Sequence, residues 1–170
     1  NGTNKEIFKD HSNKKKNEKV NIVTHHWSNN SMKGHDIYEF IDNWIKTKTD
    51  YSFTYIGRSH GPLPNSDLIS PIAGPKLGEL LSSYDVYISA SRWDPGPNHI
   101  IESLACELPT YAHSDGGGAS EFVGKTHTYS NKTELVSLLE SKNFSKNSFF
   151  TPKNWDEVIK VYFENIVSLV

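Results

Sequence analysis

The chain has a single cysteine, Cys106, which excludes an intramolecular disulfide and a metal site made of several thiolates. We also expect no signal peptide and no membrane span, because Lys160, Glu164 and Asn165 interrupt the apolar residues near the end of the sequence. An unpaired cysteine is typical of a reducing compartment. We therefore expect a cytoplasmic protein without disulfides.

A large excess of positive charge is absent as well, since the formal net charge is −2 and 22% of the residues are charged. A protein that coats nucleic acid needs many cations to neutralise phosphates, so we expect no nucleic-acid partner. Six lysines do lie between residues 5 and 19, but Glu6, Asp10 and Glu18 are interleaved with them. This pattern favours a solvated loop over a patch that binds an anionic partner.

The length of 170 residues fits one domain with its own core. Residues 1–19 are polar and aperiodic, and we interpret them as a linker or loop that leads into a domain spanning residues 20–170. Within that domain, short apolar runs alternate with amphipathic stretches of helical period. The runs predict strands at 20–26, 52–56, 68–70, 86–90 and 110–113, and the stretches predict helices at 37–45, 77–84, 98–106, 132–140 and from 155 onwards. This alternation predicts an α/β, Rossmann-like domain with a mainly parallel sheet and helices on both faces.

Ligands of such sheets bind at the carboxyl ends of the strands, and three polar clusters follow predicted strands. In the first cluster, the backbone amides of Gly96, Asn98 and His99 surround the start of a helix, where phosphate binds well. Asp94 lies in the turn before this helix, and Glu102 lies one turn into it, on the same face as Asn98. An ionised Glu102 would accept hydrogen bonds from ribose hydroxyls. On spacing alone, a turn aspartate and a surface glutamate explain the two acids equally well.

The second cluster contains the pair Lys33-Gly34, which lies after the first strand and before a helix. Lys33 at that point would neutralise a diphosphate, although a lysine in this position is more often a surface residue. His25 and His26 end the preceding strand and suggest a metal site. Adjacent strand residues point to opposite faces, so we expect one of the two histidines to be packed and do not expect a metal ligand pair.

The third cluster is the glycine run Gly116-Gly117-Gly118, which follows the predicted strand at 110–113. It differs from a dinucleotide fingerprint because Glu121 stands where the third glycine belongs, and because it lies late in the chain. We therefore expect no nicotinamide cofactor. Glycines after a strand still allow the backbone to approach a ligand closely.

Together these motifs resemble glycosyltransferase family 4, whose members have the two-domain GT-B architecture. The resemblance covers nearly the whole chain and depends on the order and separation of five segments. Residues 1–8 resemble the "NG(V/A)D…F" segment after the interdomain hinge, Lys33-Gly34 the diphosphate-binding "KG", residues 94–102 the E-x(7)-E motif with Asp at its first acid, Leu108-Pro109 the "G.P" segment, and residues 114–121 the "(T/S)D.GG..E" segment.

The resemblance implies the C-terminal, donor-binding domain of a retaining hexosyltransferase that uses a UDP- or GDP-linked sugar. It implies catalytic roles for Lys33, which stabilises the departing diphosphate, and Asp94, which contacts the donor sugar. The implied donor-binding residues are Gly96, Asn98, His99, Glu102, Gly116, Gly117 and Gly118. The implied partner is an N-terminal acceptor-binding domain outside this chain, toward which residues 155–170 would pack. Any peripheral attachment to a membrane would run through that domain, and the isolated 170 residues would be inactive.

Two features qualify the resemblance. The family often has an arginine about five residues before the diphosphate lysine, and Ser28 stands there instead, so phosphate charge would fall on Lys33 and helix amides unless Arg92 or the other domain contributes. The chain has no Asp-x-Asp motif, so we expect neither a metal nor a cofactor. Two alternatives stay open, a GT-B sugar-nucleotide epimerase domain and a stand-alone nucleotide-binding module.

Overall fold

The computed structural model describes residues 1–11 and 18–168. Residues 12–17 of the predicted linker and the last two residues of the predicted final helix lie outside the described residues. The elements are β1 (Val20–His26), α1 (His35–Ile45), β2 (Tyr51–Gly57), β3 (Asp67–Ile69), α2 (Pro75–Leu81), β4 (Val86–Ser89), α3 (Asn98–Ala105), β5 (Thr110–His113), α4 (Ala119–Val123), β6 (Thr128–Tyr129), α5 (Lys132–Ser141) and α6 (Trp155–Val167).

The strands form one six-stranded sheet in the order β3-β2-β1-β4-β5-β6, and every pairing in it is parallel. Neighbouring residues of β1 enter different cores, since Ile22 packs with α1 and α5 whereas Val23 packs with α2, α3 and α4. The sheet is therefore buried on both faces, which is why its central strands read as nearly continuous apolar runs. The predicted α/β, Rossmann-like fold with helices on both faces is confirmed.

The chain order of the strands reverses between β1 and β4, which are neighbours at the centre of the sheet. From β1 the chain builds outward to β2 and β3, and from β4 it builds outward to β5 and β6 on the other side. The loops after β1 and β4 consequently diverge and leave a crevice at the carboxyl ends of these two strands. The first two polar clusters of the sequence lie in these loops.

The predicted strands at 20–26 and 110–113 have the observed bounds, whereas α4 and β6 were not predicted. Both are short, with five residues in α4 and two in β6, and neither length gives a measurable periodicity. Residues 1–11 are not detached from the domain. Phe8 lies in the core beside α2, and Thr3 forms a parallel bridge with Asn154 at the start of α6.

Helix α6 begins with a capping box, in which the side chains of Asn154 and Glu157 satisfy each other's backbone amides. Its predicted apolar stripe is present, but only Val158 of the helix is buried. Tyr162 and Phe163 are 62% and 67% exposed, and other large apolar side chains of the helix are exposed with them. None of the described helices is both long and apolar enough to cross a lipid bilayer.

Candidate functional site

A cleft of about 260 Å³ lies at the crevice between the ends of β1 and β4. Six of the nine predicted site residues line it, which are Lys33, Asp94, Gly96, Asn98, His99 and Glu102. The remaining lining residues come from the end of β1 and the loop after it, namely His25, His26, Trp27 and Ser28. The three glycines at 116–118 are not among the lining residues.

Lys33 reaches the cleft from a short 3₁₀ turn, Ser31–Lys33, which the side chain of Asn30 caps by accepting from the amide of Met32. Gly34 ends this turn in the left-handed region, with φ 76° and ψ 39°. A Cβ atom at Gly34 would lie 2.1 Å from the carbonyl oxygen of Ala90, so the position requires glycine for both conformation and space. The "KG" pair thus brings the loop after β1 into contact with the loop after β4.

The side chains of Lys33 and Asp94 form an ion pair, with Nζ 2.7 Å from Oδ2. Both side chains are partly shielded from solvent, at 26% and 15% accessibility. The other oxygen of Asp94 accepts a 3.3 Å hydrogen bond from the amide of Gly96. The two residues predicted to be catalytic therefore contact each other across the cleft.

The glycine run lies against the backbone of the Asp94 turn. Gly118 donates its amide to the carbonyl of Asp94 at 2.9 Å, and a Cβ atom at Gly117 would lie 2.9 Å from the amide nitrogen of Asp94. Trp93 has an unfavourable positive φ of 51°, and its backbone amide donates a 2.7 Å hydrogen bond to the backbone carbonyl of Asp115. These contacts hold the Asp94 turn against the glycine run.

Helix α3 begins at Asn98, and its first amides lack partners within the helix, as at every helix start. Its start is fixed to the sheet by His99, whose Nε2 lies 2.8 Å from the hydroxyl of Ser89 at the end of β4. The His99 side chain is buried, so its backbone amide is better placed than its ring to meet a ligand. The helix therefore presents amides to the cleft from a rigid position.

Glu102 contacts a residue that sequence reasoning did not assign to the site. Its Oε2 lies 2.7 Å from Nε2 of His25, and both side chains line the cleft. His25 and His26 are both buried, rather than one of them, and His26 contacts the hydroxyl of Tyr38 at 2.7 Å. The signal for His25 was its place at the end of the central strand, opposite the E-x(7)-E helix.

Arg92 does not replace the family arginine within this chain. Both of its terminal nitrogens bind the carboxylate of Asp36 at 2.8 Å, and it does not line the cleft. Ser28, which stands at the position of that arginine, does line it. In the part of the chain that the structure describes, no three His, Cys, Asp or Glu side chains are grouped so that they could hold a metal ion.

The pKa values of His26 and His99 are well below the usual value near 6.5, mainly because burial disfavours the charged ring and further because other histidines and Lys33 lie nearby. Below a pH of about 6.5 the unfolded chain binds protons that the folded chain excludes. We therefore expect the free energy of unfolding to be highest above that pH and to fall below it, by about 1.4 kcal/mol per pH unit for each histidine.

Urea unfolding at pH 7.5, 6.5 and 5.5 measures this effect. His99→Gln keeps an amide that can bond Ser89 but does not titrate, so this variant should lose less stability on acidification than the unmodified chain. An equal loss in both proteins would show that His99 is not one of the groups responsible.

This architecture also occurs in known protein structures. No family model matches the chain, and no curated protein matches it. Solved structures do match, and the fold is that of the C-terminal domain of GT-B glycosyltransferases. Sucrose-phosphate synthase from Thermosynechococcus elongatus is 17% identical with a TM-score of 0.68, and the match covers 98% of this chain but 52% of that one.

Two further structures match at similar scores. The C-terminal domain of a glycosyl transferase group 1 family protein (LpcC) from Francisella tularensis is 13% identical with a TM-score of 0.61, over 82% of this chain and 87% of that domain. The pneumococcal O-GlcNAc transferase GtfA, solved with UDP and GlcNAc, is 11% identical with a TM-score of 0.68, over 95% of this chain and 37% of that one. The chain thus spans about half of the synthase and about a third of GtfA.

Proposed function

We propose that this chain is the donor-binding domain of a retaining, metal-independent glycosyltransferase that uses a UDP- or GDP-linked sugar. The observation that carries the proposal is the meeting of Lys33, Asp94, Glu102 and the start of α3 in one cleft at the switch point of this sheet. Cation, free amides and acceptor carboxylates are the groups that a sugar nucleotide requires. The fold shared with glycosyltransferases and the family 4 motifs support the same assignment.

The roles follow from the chemistry of each group. Lys33 and the first amides of α3 stabilise the diphosphate, whose negative charge grows as the sugar departs. Glu102 accepts hydrogen bonds from ribose, because an ionised carboxylate has only acceptor capacity. Asp94, held beside Lys33, contacts the donor sugar near the reacting carbon. This separates leaving-group stabilisation from sugar recognition.

The small volume of the cleft supports a binding site whose second wall lies outside this chain. Enclosed ligand pockets usually occupy about 300–1,000 Å³, whereas this cleft occupies about 260 Å³. We propose that an N-terminal acceptor-binding domain of the same protein supplies the second wall. The exposed apolar side chains of α6, Tyr162 and Phe163 among them, are the surface on which that domain would pack.

Calorimetric titration tests the donor class. The chain should bind UDP or GDP, with or without the attached sugar, and an excess of EDTA should leave the affinity unchanged. ADP and its sugars serve as the nucleotide comparison. An absolute requirement for Mg²⁺ or Mn²⁺ would refute the metal-independent assignment, and affinity that ignores the sugar would favour a stand-alone nucleotide-binding module.

A matched pair of variants shows whether binding occurs in this cleft. Glu102→Gln should weaken nucleotide binding by roughly 1.5–3 kcal/mol, the range for a hydrogen bond to a charged group. Glu79→Gln is the control, because Glu79 is an exposed glutamate on α2 that does not line the cleft. Equal effects of the two substitutions would place the nucleotide elsewhere.

A further inference from the structure

The contact between His25 and Glu102 joins the two elements that flank the cleft. His25 is the penultimate residue of β1 and Glu102 lies in the middle of α3, so the 2.7 Å contact spans the crevice floor. The His25 side chain is 4% accessible and that of Glu102 is 23% accessible. One partner is therefore buried and fixed, and the other is partly open to a ligand.

The ring of His25 has little freedom to move. The backbone amide of His25 lies 3.1 Å from the hydroxyl of Tyr87 on β4, and the rings of the two residues meet edge-on with centroids 5.5 Å apart. The ring of His99 lies on another side, with its centroid 6.2 Å away. β1 is also paired on both edges, with β2 and β4. His25 is thus held by the most buried part of the fold.

The chemistry of the pair shows which of the two side chains donates the hydrogen bond. An ionised Glu102 has only acceptor atoms, so Nε2 of His25 carries the hydrogen in this contact. Nδ1 of His25 is buried and finds no hydrogen-bond partner among the described residues. A bare Nδ1 leaves only a lone pair unsatisfied, whereas a hydrogen there would be an orphaned buried donor. Nε2 is therefore the ring atom through which His25 hydrogen-bonds, and its partner is Glu102.

We propose that His25 is a positioning residue for the ribose subsite, where it holds Oε2 of Glu102 so that Oε1 is presented to the ribose hydroxyls. A free glutamate side chain loses rotamer entropy when it binds a ligand, and a carboxylate fixed in advance avoids that loss. The inference rests on the proposed function, because it assumes that Glu102 meets ribose. The sequence pattern assigns no role to this histidine.

Two substitutions of His25 separate positioning from folding. In His25→Gln the side-chain amide reaches about as far as Nε2 and retains a donor to Glu102, whereas in His25→Asn the amide stops near the place of Nδ1. The probes are UDP or GDP, whichever the unmodified chain binds more tightly, and its 2′,3′-dideoxy analogue. Circular dichroism and urea unfolding establish that each variant is folded.

His25→Asn should weaken the ribonucleotide on the order of tenfold, and Glu102→Gln should weaken it at least as much. Both variants should leave the affinity for the dideoxy analogue nearly unchanged. His25→Gln should restore most of the affinity for the ribonucleotide. Equal losses of both nucleotides in His25→Asn, or no loss of either, would overturn the positioning role while the proposed function stands. Failure of the unmodified chain to bind any nucleotide would remove the proposed function and this inference together.

A spectroscopic measurement covers the case in which His25→Asn does not fold. In ¹⁵N-labelled, otherwise unmodified chain, the ring signals of His25 should show a hydrogen on Nε2, and the signal should shift in Glu102→Gln. A ring that carries its hydrogen on Nδ1 alone would contradict the inference, because Nε2 then has nothing to donate to Glu102.

Discussion

Replacing Asp94 with asparagine should tighten the binding of a free nucleoside diphosphate, whereas replacing Lys33 with methionine should weaken it. The Lys33 ammonium lies 2.7 Å from the Asp94 carboxylate, so a diphosphate would compete with Asp94 for the same cation. The carboxylate also repels the phosphates. Asp94→Asn removes both effects, and we expect a gain of about 1 kcal/mol, roughly fivefold in affinity.

Lys33→Met should change the affinity for the diphosphate in the opposite direction and by a larger amount. It removes the cation and leaves Asp94 without its partner beside the phosphates, so we expect a loss of about 1.5–3 kcal/mol. If Asp94 contacts the donor sugar, Asp94→Asn should also abolish the extra affinity that a nucleotide-sugar has over the nucleotide alone. Calorimetry of both variants with UDP or GDP, free and sugar-linked, measures all of these differences.

The control for this pair is an ion pair of similar length outside the cleft. Lys48 and Glu140 lie 2.8 Å apart and neither lines the cleft, so Glu140→Gln should leave nucleotide affinity unchanged. The competition argument fails if Asp94→Asn weakens the free diphosphate as much as Lys33→Met does. That result would mean that the Lys33–Asp94 contact serves to build the cleft.

The central elements of the fold were predicted from the sequence because they are long and have regular patterns of apolar residues. β1 has seven residues, and α1 places Ile37, Ile41 and Ile45 on one stripe. The pattern could not predict β6, because Thr128–Tyr129 becomes a strand only by pairing with β5. Nor could it show that Phe8 joins the core, because a lone apolar residue in a polar segment carries no period. Tertiary contacts decide such cases.

The candidate site divides in a similar way. The roles of Lys33, Asp94 and Glu102 were predicted from the family 4 motifs that contain them, because spacing alone explains the two acids equally well as a turn and a surface residue. His25 was not assigned, since the role proposed for it depends on a contact with a residue 77 positions later in the chain. The glycines at 116–118 were predicted to line the site, and the structure places them against the backbone of the Asp94 turn. Local sequence shows that a glycine is needed but not which neighbour requires it.

On their own, the 170 residues should bind the donor and transfer no sugar to any acceptor. Transfer requires donor and acceptor to be aligned within about 3–3.5 Å, and alignment of that kind accounts for as much as roughly 7–11 kcal/mol of a barrier. In the proposed assignment, the cleft supplies groups for phosphate, ribose and sugar from one side only. The groups that bind the acceptor would come from the second domain proposed above.

The surface of α6 gives this prediction an independent basis. Ile159, Tyr162, Phe163 and Ile166 are each at least 60% exposed, and a contiguous apolar surface of this kind is typical of an interface. The 170 residues on their own should therefore show slow hydrolysis of the donor at most, since water can enter the open cleft. The assay compares the 170 residues with the same chain joined to a GT-B N-terminal domain, using radiolabelled donor and a crude acceptor pool. Transfer by the 170 residues at the rate of the two-domain protein would refute the half-enzyme assignment, because every group needed for acceptor alignment would then lie within this chain.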